Sequence, residues 1–334
     1  MGRMIDGRWH TDEDIQARPN GSWERTPSVL RNWVTANGEV GPTGEGGFPA
    51  KSGRYHLYVA WNCPWAHRAL LTRALKGLED HIDISVVSPR RTNEGWVFDP
   101  ENGYVDDLFG VSALHEIYAR SEPEYSGRVT VPVLWDKERG EIVSNESADI
   151  VRMLGNAFNR VGANDRDFYP VDISAEIDAW NDRIHGDLNN GVYKAGFAES
   201  QQAYERATLA VFETLDAMEA QLAASRFLTG EYMTEADIRA FPTLARFDVA
   251  YFSAFKCNLR RIADYPRLWR YARMIYHLPG VAGTVRFDIY KRGYHSPSPK
   301  RNPLGIVPMG PQIDWALDDA DLTQVFWTRS TGAS

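Results

Sequence analysis

Short apolar runs rich in aromatic and β-branched residues mark the first half of the chain, and they predict β-strands. Two such runs lie at 54–62 and 81–89, and a third at 128–144 predicts two strands joined by a turn at DKERG. Within 63–79, apolar residues recur at helical spacing, and Gly77 offers a helix stop. The first half therefore begins with a β-α-β unit.

The pattern changes to helical periodicity near residue 173 and keeps it to about residue 276. Before that change, NESADIVRMLGNAF predicts a helix with Ser144 or Asn145 as its N-cap. The first half thus follows the order β-α-β, insertion, β-β-α, which is the thioredoxin-like layout. We predict an α/β plus all-α protein, in which a thioredoxin-like domain precedes an all-helical domain.

The same patterns, together with the distribution of Pro and Gly, divide the chain into four segments. A polar, irregular insertion in the second of them is typical of a site-forming loop. The predicted segments are an N-terminal arm at 1–54, a thioredoxin-like domain at 55–165 with its insertion at about 90–127, an all-helical domain at 166–285 and a C-terminal tail at 286–334.

Composition narrows the class of protein. The chain has 334 residues, 43% of them hydrophobic, which is enough for two domain cores. It has no run of 18 apolar residues, and its N-terminus lacks the apolar core of a signal peptide, so we expect a cytoplasmic protein without a membrane partner. The net charge of −8 disfavours nucleic acid as a partner. Two cysteines exclude a disulfide framework, and no metal site is expected.

Cys63 stands where the first strand ends and the first helix begins. Pro64 suits the first helical position, because the N–H that proline lacks would have no partner there. Cys63 then becomes the N-cap residue, and its sulfur faces backbone amides that favour thiolate over thiol. We therefore predict a nucleophile. A buried structural cysteine is the alternative, and it is the favoured interpretation for Cys257.

Ala66 occupies the position at which a dithiol oxidoreductase has its second cysteine. The chain therefore has no local thiol that could resolve a mixed disulfide formed at Cys63. A second thiol from solution must do so, which predicts a small-thiol substrate that is used twice in each cycle.

Two further segments suit the binding of such a thiol. Pro132 lies inside a predicted strand, and a cis Val131–Pro132 bond would turn the backbone of Val131 outward beside Cys63. A trans proline on an edge strand is the alternative. In NESAD, the Ser147 hydroxyl and free amides suit a carboxylate and Glu146 suits an ammonium, so the pair fits an α-amino acid group. Acidic residues in a first turn also commonly do no more than complement the helix dipole.

Five separated stretches of the chain carry a family resemblance. They are NCPWAHRALLTRALKGLE, RVTVPVLWD, NESADIVRML, NNGVYKAGFA and FKCNLRRIADYPRLW. Together they resemble the glutathionyl-hydroquinone reductases, the xi class of the glutathione transferase superfamily. The resemblance implies a glutathione-transferase C-terminal domain and a homodimer. It also implies reduction of glutathionyl-hydroquinones to hydroquinones, with release of oxidised glutathione. Glutathione would be the co-substrate, and no tightly bound cofactor is expected.

The resemblance also implies roles for individual residues. Cys63 would be the nucleophile, and Tyr193 and Tyr294 would line an aromatic pocket and act with it. Ordinary packing is the alternative for either tyrosine taken alone. One departure from the family is His295, which stands where a second tyrosine is usual. The residues that would hold glutathione are Trp96, Arg128, Val131, Glu146 and Ser147.

The mechanism that we expect starts with attack of the Cys63 thiolate on the sulfur of a glutathionyl-hydroquinone. The hydroquinone leaves as its ring carbon is protonated, and a second glutathione reduces the remaining Cys63–glutathione disulfide. Two alternatives share the fold. One is an omega-like thioltransferase or dehydroascorbate reductase, and the other is a transferase-like interaction module without enzymatic activity.

Overall fold

The computed structural model describes residues 2–11, 18–317 and 329–330. Among these residues, no helix has both the length and the apolarity needed to span a bilayer. The chain divides into two compact units, and the division assigns the predicted N-terminal arm partly to each. Unit 1 takes its described residues from Met1–Ile15 and Pro27–Asp165, and unit 2 takes its described residues from Gln16–Thr26 and Arg166–Ser334.

Unit 1 has six strands and three α-helices among its described residues. The strands are β1 (Arg3–Ile5), β2 (Arg8–His10), β3 (Tyr55–Val59), β4 (Asp83–Val86), β5 (Val133–Asp136) and β6 (Glu141–Ser144). The helices are α1 (Pro64–Lys76), α2 (Leu114–Ser121) and α3 (Ser147–Asn156), and a short 3₁₀ turn spans Pro100–Asn102.

Four of these strands form one sheet in the order β4-β3-β5-β6. β3 pairs with β4 in parallel, and both β3–β5 and β5–β6 are antiparallel. Every residue of β3 is buried, so this central strand is covered on both faces. The helices α1 and α3 pack against each other. The arrangement confirms the predicted thioredoxin-like class.

The N-terminal arm covers the open edge of the sheet. Arg31 forms a bridge with Ser144 of β6, and the Asn32 N–H donates to the Val143 carbonyl at 2.8 Å. The Arg31 guanidinium also binds the Asp149 carboxylate through two hydrogen bonds of 2.7 and 2.8 Å. An exposed edge strand would invite pairing with other chains. The arm therefore caps β6 and holds the first turn of α3.

One local expectation is wrong. The N-cap of α3 is Glu146, whose Oε1 accepts from the Ala148 N–H at 3.1 Å. Ser144 is still the last residue of β6, and its hydroxyl accepts from the Glu146 N–H at 3.1 Å. The Asn145 side chain donates instead to the hydroxyl of Tyr118 at 3.2 Å. A tertiary contact thus removes Asn145 from the capping position.

Unit 2 is helical, as predicted, with one short strand pair. Its α-helices are α4 (Ser174–Arg183), α5 (Gly191–Gly196), α6 (Gln201–Gln221), α7 (Glu235–Arg246), α8 (Phe252–Ala254), α9 (Pro266–Tyr276) and α10 (Phe287–Tyr294). Two π-helical segments span Ile184–Asn189 and Phe247–Tyr251, and 3₁₀ turns span Val171–Ile173, Ile262–Asp264 and Ala282–Thr284. The strand pair joins β7 (Arg166–Asp167) to β8 (Arg329–Ser330).

The segment that we assigned to the C-terminal tail begins with a packed helix. This helix, α10, contacts α7 and the π-helical segment Phe247–Tyr251. Tyr290 of α10 is fully buried, and the Arg246 guanidinium lies 3.7 Å from the centre of its ring. The buried aromatic side chain explains why this part of the Pro- and Gly-rich segment is ordered as a helix.

The protonation of His56 in β3 makes the stability of the folded protein depend on pH. It is buried, and its Nε2 lies 2.8 Å from the Ser85 hydroxyl. Burial lowers the pKa of His56 to about 4, although the nearby Asp106 acts in the opposite direction. The unfolded chain therefore binds more protons than the folded protein between pH 4 and 6.5. The stability that neutral His56 contributes is lost as the pH falls through this window.

As the pH falls through this window, we expect the free energy of unfolding to decrease less in the variant His56→Gln than in the wild type. The difference between the two decreases should reach roughly 3 kcal/mol. Denaturant unfolding at several pH values measures the difference. His10 is exposed, so His10→Gln controls for the loss of a histidine side chain and should keep the wild-type free energy of unfolding at neutral pH. Parallel pH dependence of the wild type and His56→Gln would contradict the assignment.

Candidate active site

Cys63 is the N-cap residue of α1, as the sequence predicts. Its backbone is extended, and Pro64 occupies the first turn of the helix. Both cysteines are free thiols. Cys63 is partly exposed, whereas Cys257 is fully buried in unit 2. The structure thus places the partly exposed Cys63 at a helix N-terminus, where positive backbone charge favours an anion.

The backbone of Val131 lies beside this sulfur. The Val131–Pro132 bond is cis, as expected, and the Val131 carbonyl oxygen is 3.6 Å from Cys63 Sγ, with the thiol as donor. Pro132 precedes β5, which begins at Val133, so the expectation that it lies inside the strand is wrong. This position explains how the sheet tolerates a proline, because no ladder N–H is lost.

Trp96 lies in the insertion and is 5% exposed. Its carbonyl accepts from the Leu114 N–H at 2.8 Å, which ties it to the start of α2. The Arg91 guanidinium lies 4.0 Å from the centre of the indole ring. Within the described residues, the buried Trp96 Nε1 has no hydrogen-bond partner. A buried donor of this kind is costly, and an acceptor on a ligand would satisfy it.

The start of α3 gathers several polar groups around Ser147. The buried Ser147 hydroxyl lies 3.5 Å from the Glu146 carboxylate and 3.5 Å from an Arg68 guanidinium nitrogen. Glu146 also caps the helix. One helix end therefore combines a hydroxyl, backbone amides, a carboxylate and a guanidinium. Such a set suits a group that carries both an ammonium and a carboxylate.

Arg128 and Val131 lie on one short segment, which two tyrosines of the insertion hold. The Tyr125 hydroxyl donates to the Arg128 carbonyl at 3.0 Å. The Tyr118 hydroxyl donates to the Thr130 carbonyl at 2.8 Å and accepts from the Thr130 N–H at 3.2 Å. Sequence reasoning missed both tyrosines, and their only signal was the aromatic content of the insertion.

In unit 2, the hydroxyl oxygens of Tyr193 and Tyr294 lie 2.6 Å apart. The hydroxyl of a third tyrosine, Tyr251, lies 3.1 Å from that of Tyr294. Burial is the main cause that raises the pKa of Tyr251 and Tyr294 well above the usual value, and the neighbouring phenol of Tyr193 adds to it. These groups therefore stay protonated near neutral pH. Sequence reasoning missed Tyr251, which lies in a π-helical segment, a feature common at functional sites.

Part of the N-terminal arm packs against Tyr193. The Arg25 guanidinium lies 5.3 Å from the centre of the Tyr193 ring and donates to the Asn190 side chain at 3.0 Å. The Trp23 ring lies 6.0 Å from the same tyrosine. The arm therefore contributes a cation and an aromatic wall to this cluster, a role that the sequence did not suggest.

His295, the departure from the family pattern, is buried at the end of α10. Its Nε2 lies 2.8 Å from the Ser253 hydroxyl, and its Nδ1 lies 2.8 Å from the Lys291 carbonyl. Both ring nitrogens are therefore engaged in local hydrogen bonds.

Two family models match the chain, one in each unit. The model of the glutathione S-transferase N-terminal domain matches residues 62–157, and that of the C-terminal domain matches residues 201–273. The fold and these matches define the class of protein, a two-domain glutathione transferase.

Individual relatives narrow this class. Glutathionyl-hydroquinone reductase YqjG of Escherichia coli is 49% identical over 94% of this chain and 96% of its own length. Its glutathione-bound structure has a TM-score of 0.86 at 47% identity, covering 93% of this chain and 96% of that one. A xi-class glutathione transferase structure from Natrialba magadii has a TM-score of 0.87 at 41% identity, covering 96% of each chain. A glutathione S-transferase omega-like 2 of Schizosaccharomyces pombe is 42% identical over 79% of this chain and 87% of its own length.

The chain belongs to the glutathionyl-hydroquinone reductase family, the xi class of the glutathione transferases. The predicted family and fold class are thereby confirmed.

Near neutral pH, we expect iodoacetamide to label Cys63 and to leave Cys257 unmodified in the folded protein. Cys63 is partly exposed at a helix N-terminus, whereas burial raises the pKa of the Cys257 thiol to about 12. Mass spectrometry of the digested protein locates the label. Cys63→Ser should take up none, and the denatured wild type should be labelled at both cysteines. Comparable labelling of Cys257 in the folded protein, or none of Cys63, would contradict this.

Proposed function

We propose that this protein reduces glutathionyl-hydroquinones to hydroquinones with glutathione, through a mixed disulfide at Cys63. The observation that carries the proposal is a partly exposed thiol at the N-cap of α1, in a unit whose sequence has no second cysteine. An oxidised Cys63 has to be reduced by a thiol from outside. The name of the E. coli relative and its glutathione-bound structure support glutathione as that thiol.

The first step breaks the bond between the glutathione sulfur and the hydroquinone ring. The Cys63 thiolate attacks that sulfur and forms an S–S bond, and the electron pair of the C–S bond goes to the ring carbon. A proton delivered to this carbon completes the free hydroquinone. The ring is thereby reduced by two electrons, and Cys63 is oxidised to the mixed disulfide.

The second step restores the thiol. The thiolate of a free glutathione attacks the glutathione sulfur of the mixed disulfide, which releases oxidised glutathione and the Cys63 thiolate. The proton that glutathione loses balances the proton that the ring gained. In the whole cycle, one glutathione is consumed for each glutathionyl-hydroquinone that is reduced.

Five residues of unit 1 would hold the glutathione moiety. The backbone of Val131 would pair with the peptide as an added strand, which sets the thiol beside the reactive sulfur. The start of α3, with Ser147 and Glu146, would bind the α-amino acid end. Arg128 would attract the second carboxylate, and the indole N–H of Trp96, which has no hydrogen-bond partner among the described residues, would donate to an acceptor of the ligand.

Tyr193 and Tyr294 would serve the hydroquinone moiety. Their linked hydroxyls can donate hydrogen bonds to phenolic oxygens, and either can supply the proton that the ring carbon needs. The raised pKa of Tyr294 keeps its phenol protonated and able to donate a hydrogen bond. Tyr251 hydrogen-bonds to Tyr294 and would orient its hydroxyl.

We also infer that the protein works in the cytoplasm as a homodimer. Its two cysteines are free thiols, which supports a reducing compartment. The homodimer is supported by the resemblance to the xi class.

Replacing Cys63 by serine should reduce the turnover of glutathionyl-menadiol by roughly three orders of magnitude or more, since the nucleophile is lost. Cys257→Ala is the matched control and should keep the wild-type rate. With glutathione limiting, the wild type should carry the mass of one glutathionyl group on the Cys63 peptide. Normal turnover by Cys63→Ser would rule out the proposed chemistry.

The S. pombe relative is named as omega-like, so a thioltransferase is the second candidate function. Substitutions of Tyr193 and Tyr294 distinguish the two candidate functions. At least one of the variants Tyr193→Phe and Tyr294→Phe should lower kcat for glutathionyl-menadiol by roughly 10²–10⁴-fold, the usual effect of losing a general acid. Reduction of hydroxyethyl disulfide should change little, because a thiol leaves as its thiolate without forming a C–H bond.

Tyr290→Phe is the control, since Tyr290 lies on α10 together with Tyr294 and its hydroxyl donates to the Thr284 carbonyl at 3.3 Å. It should keep both activities. Equal loss of both activities in Tyr193→Phe and Tyr294→Phe, or a wild type that turns over the disulfide far faster than the hydroquinone, would favour the thioltransferase.

A further inference from the structure

We propose that Tyr118 is a positioning residue for glutathione, whose hydroxyl locks the segment 128–131 to the start of α3. The two parts of the chain carry four of the five residues that would hold glutathione, namely Arg128, Val131, Glu146 and Ser147. The inference rests on the proposed function, because it concerns how that site is held in a binding-competent geometry.

One oxygen atom makes the connection. The Tyr118 hydroxyl donates to the Thr130 carbonyl at 2.8 Å, and it accepts from the Thr130 N–H and from the Asn145 side chain, each at 3.2 Å. A phenol has one proton to donate and two acceptor positions, so all of its capacity is used. Thr130 directly precedes Val131, and Asn145 directly precedes Glu146.

The environment of Tyr118 strengthens these bonds. Its side chain is fully buried, and burial raises its pKa, so the hydroxyl remains a neutral donor. Hydrogen bonds in such surroundings are stronger than in water, and buried groups left without them cost more. Removing this hydroxyl would take a partner from both backbone groups of Thr130 and from Asn145 at once.

Tyr125 holds the other end of the same segment. Its hydroxyl donates to the Arg128 carbonyl at 3.0 Å, and its ring centre lies 5.1 Å from that of Tyr118. Gly127 exchanges two backbone hydrogen bonds with Met4, of 2.8 and 3.0 Å. A Cβ on Gly127 would come within 2.6 Å of the Tyr125 hydroxyl, so the backbone approach is close. The segment is therefore fixed before any ligand arrives.

A preformed site improves affinity because less ordering is needed on binding. Cys63 is the N-cap residue of α1, so the helix is the main element that positions its sulfur, and the contact of the thiol with the segment is the one to the Val131 carbonyl at 3.6 Å. Loss of the Tyr118 hydroxyl should therefore weaken the binding of glutathione and of glutathionyl substrates, while the chemistry of the bound complex continues. This split between KM and kcat separates positioning from a general loss of stability.

The test is Tyr118→Phe in the full chain. We expect KM for glutathione and its dissociation constant by calorimetry to rise roughly tenfold, with kcat at saturation within about twofold of the wild type. Tyr55→Phe is the matched control. Tyr55 is also fully buried in unit 1, and its hydroxyl donates to a backbone carbonyl, that of Pro49, at 2.8 Å. The control should also lower stability, and it should leave KM unchanged.

Two results would overturn the inference. A wild type that binds no glutathione overturns the proposed function together with it. A wild type that binds glutathione, beside a Tyr118→Phe variant whose KM matches that of Tyr55→Phe, overturns the inference alone. If Tyr118→Phe fails to fold, Tyr125→Phe decides, since it removes one bond to the same segment. Its KM should then rise roughly threefold, and an unchanged value would reject the inference.

Discussion

A single, partly exposed cysteine at the start of α1 is the constraint on which the rest of the candidate site depends. Helix geometry brings backbone charge to Cys63, and a backbone carbonyl, that of Val131, is its neighbour at 3.6 Å. Because unit 1 contains no other cysteine, oxidation of this sulfur cannot be reversed within the unit. In the proposed function, the surrounding structure must therefore admit a small thiol and present it in line with the sulfur. In that function, the polar groups at the start of α3 and the backbone of Val131 beside the sulfur meet that requirement.

Much of this centre could be predicted from the sequence because its causes are local. Proline is tolerated at a first helical position and glycine is favoured after a last one, so Pro64 and Gly77 predict the bounds of α1 to within a residue. Gly77 adopts the left-handed conformation that its position requires, with φ of 67°. The N-cap position of Cys63 can then be predicted without knowledge of the rest of the fold. Conformational preferences that act within a few residues can therefore be predicted from a single sequence.

The parts that escaped prediction join residues that are distant in the chain. Asn145 is a good N-cap residue by type, yet its amide is used by Tyr118, which lies 27 positions earlier. Arg31 binds Asp149 across 118 positions, and no pattern in a single sequence indicates such a pair. The same holds for Tyr251 and Tyr294, which are 43 positions apart and meet only through the packing of α10. Pairing of this kind is decided by tertiary structure.

Most of these long-range contacts are made by the N-terminal arm and the insertion, so both segments stabilise the fold. A four-stranded sheet leaves β6 with an open edge. In unit 1, the arm closes that edge and holds α3 through Arg31, while the insertion braces the segment 128–131. In unit 2, the arm sets Arg25 over the ring of Tyr193. The irregular arm and insertion thus restrain parts of the fold that the short strands and helices alone would hold less firmly. These parts carry the candidate site residues.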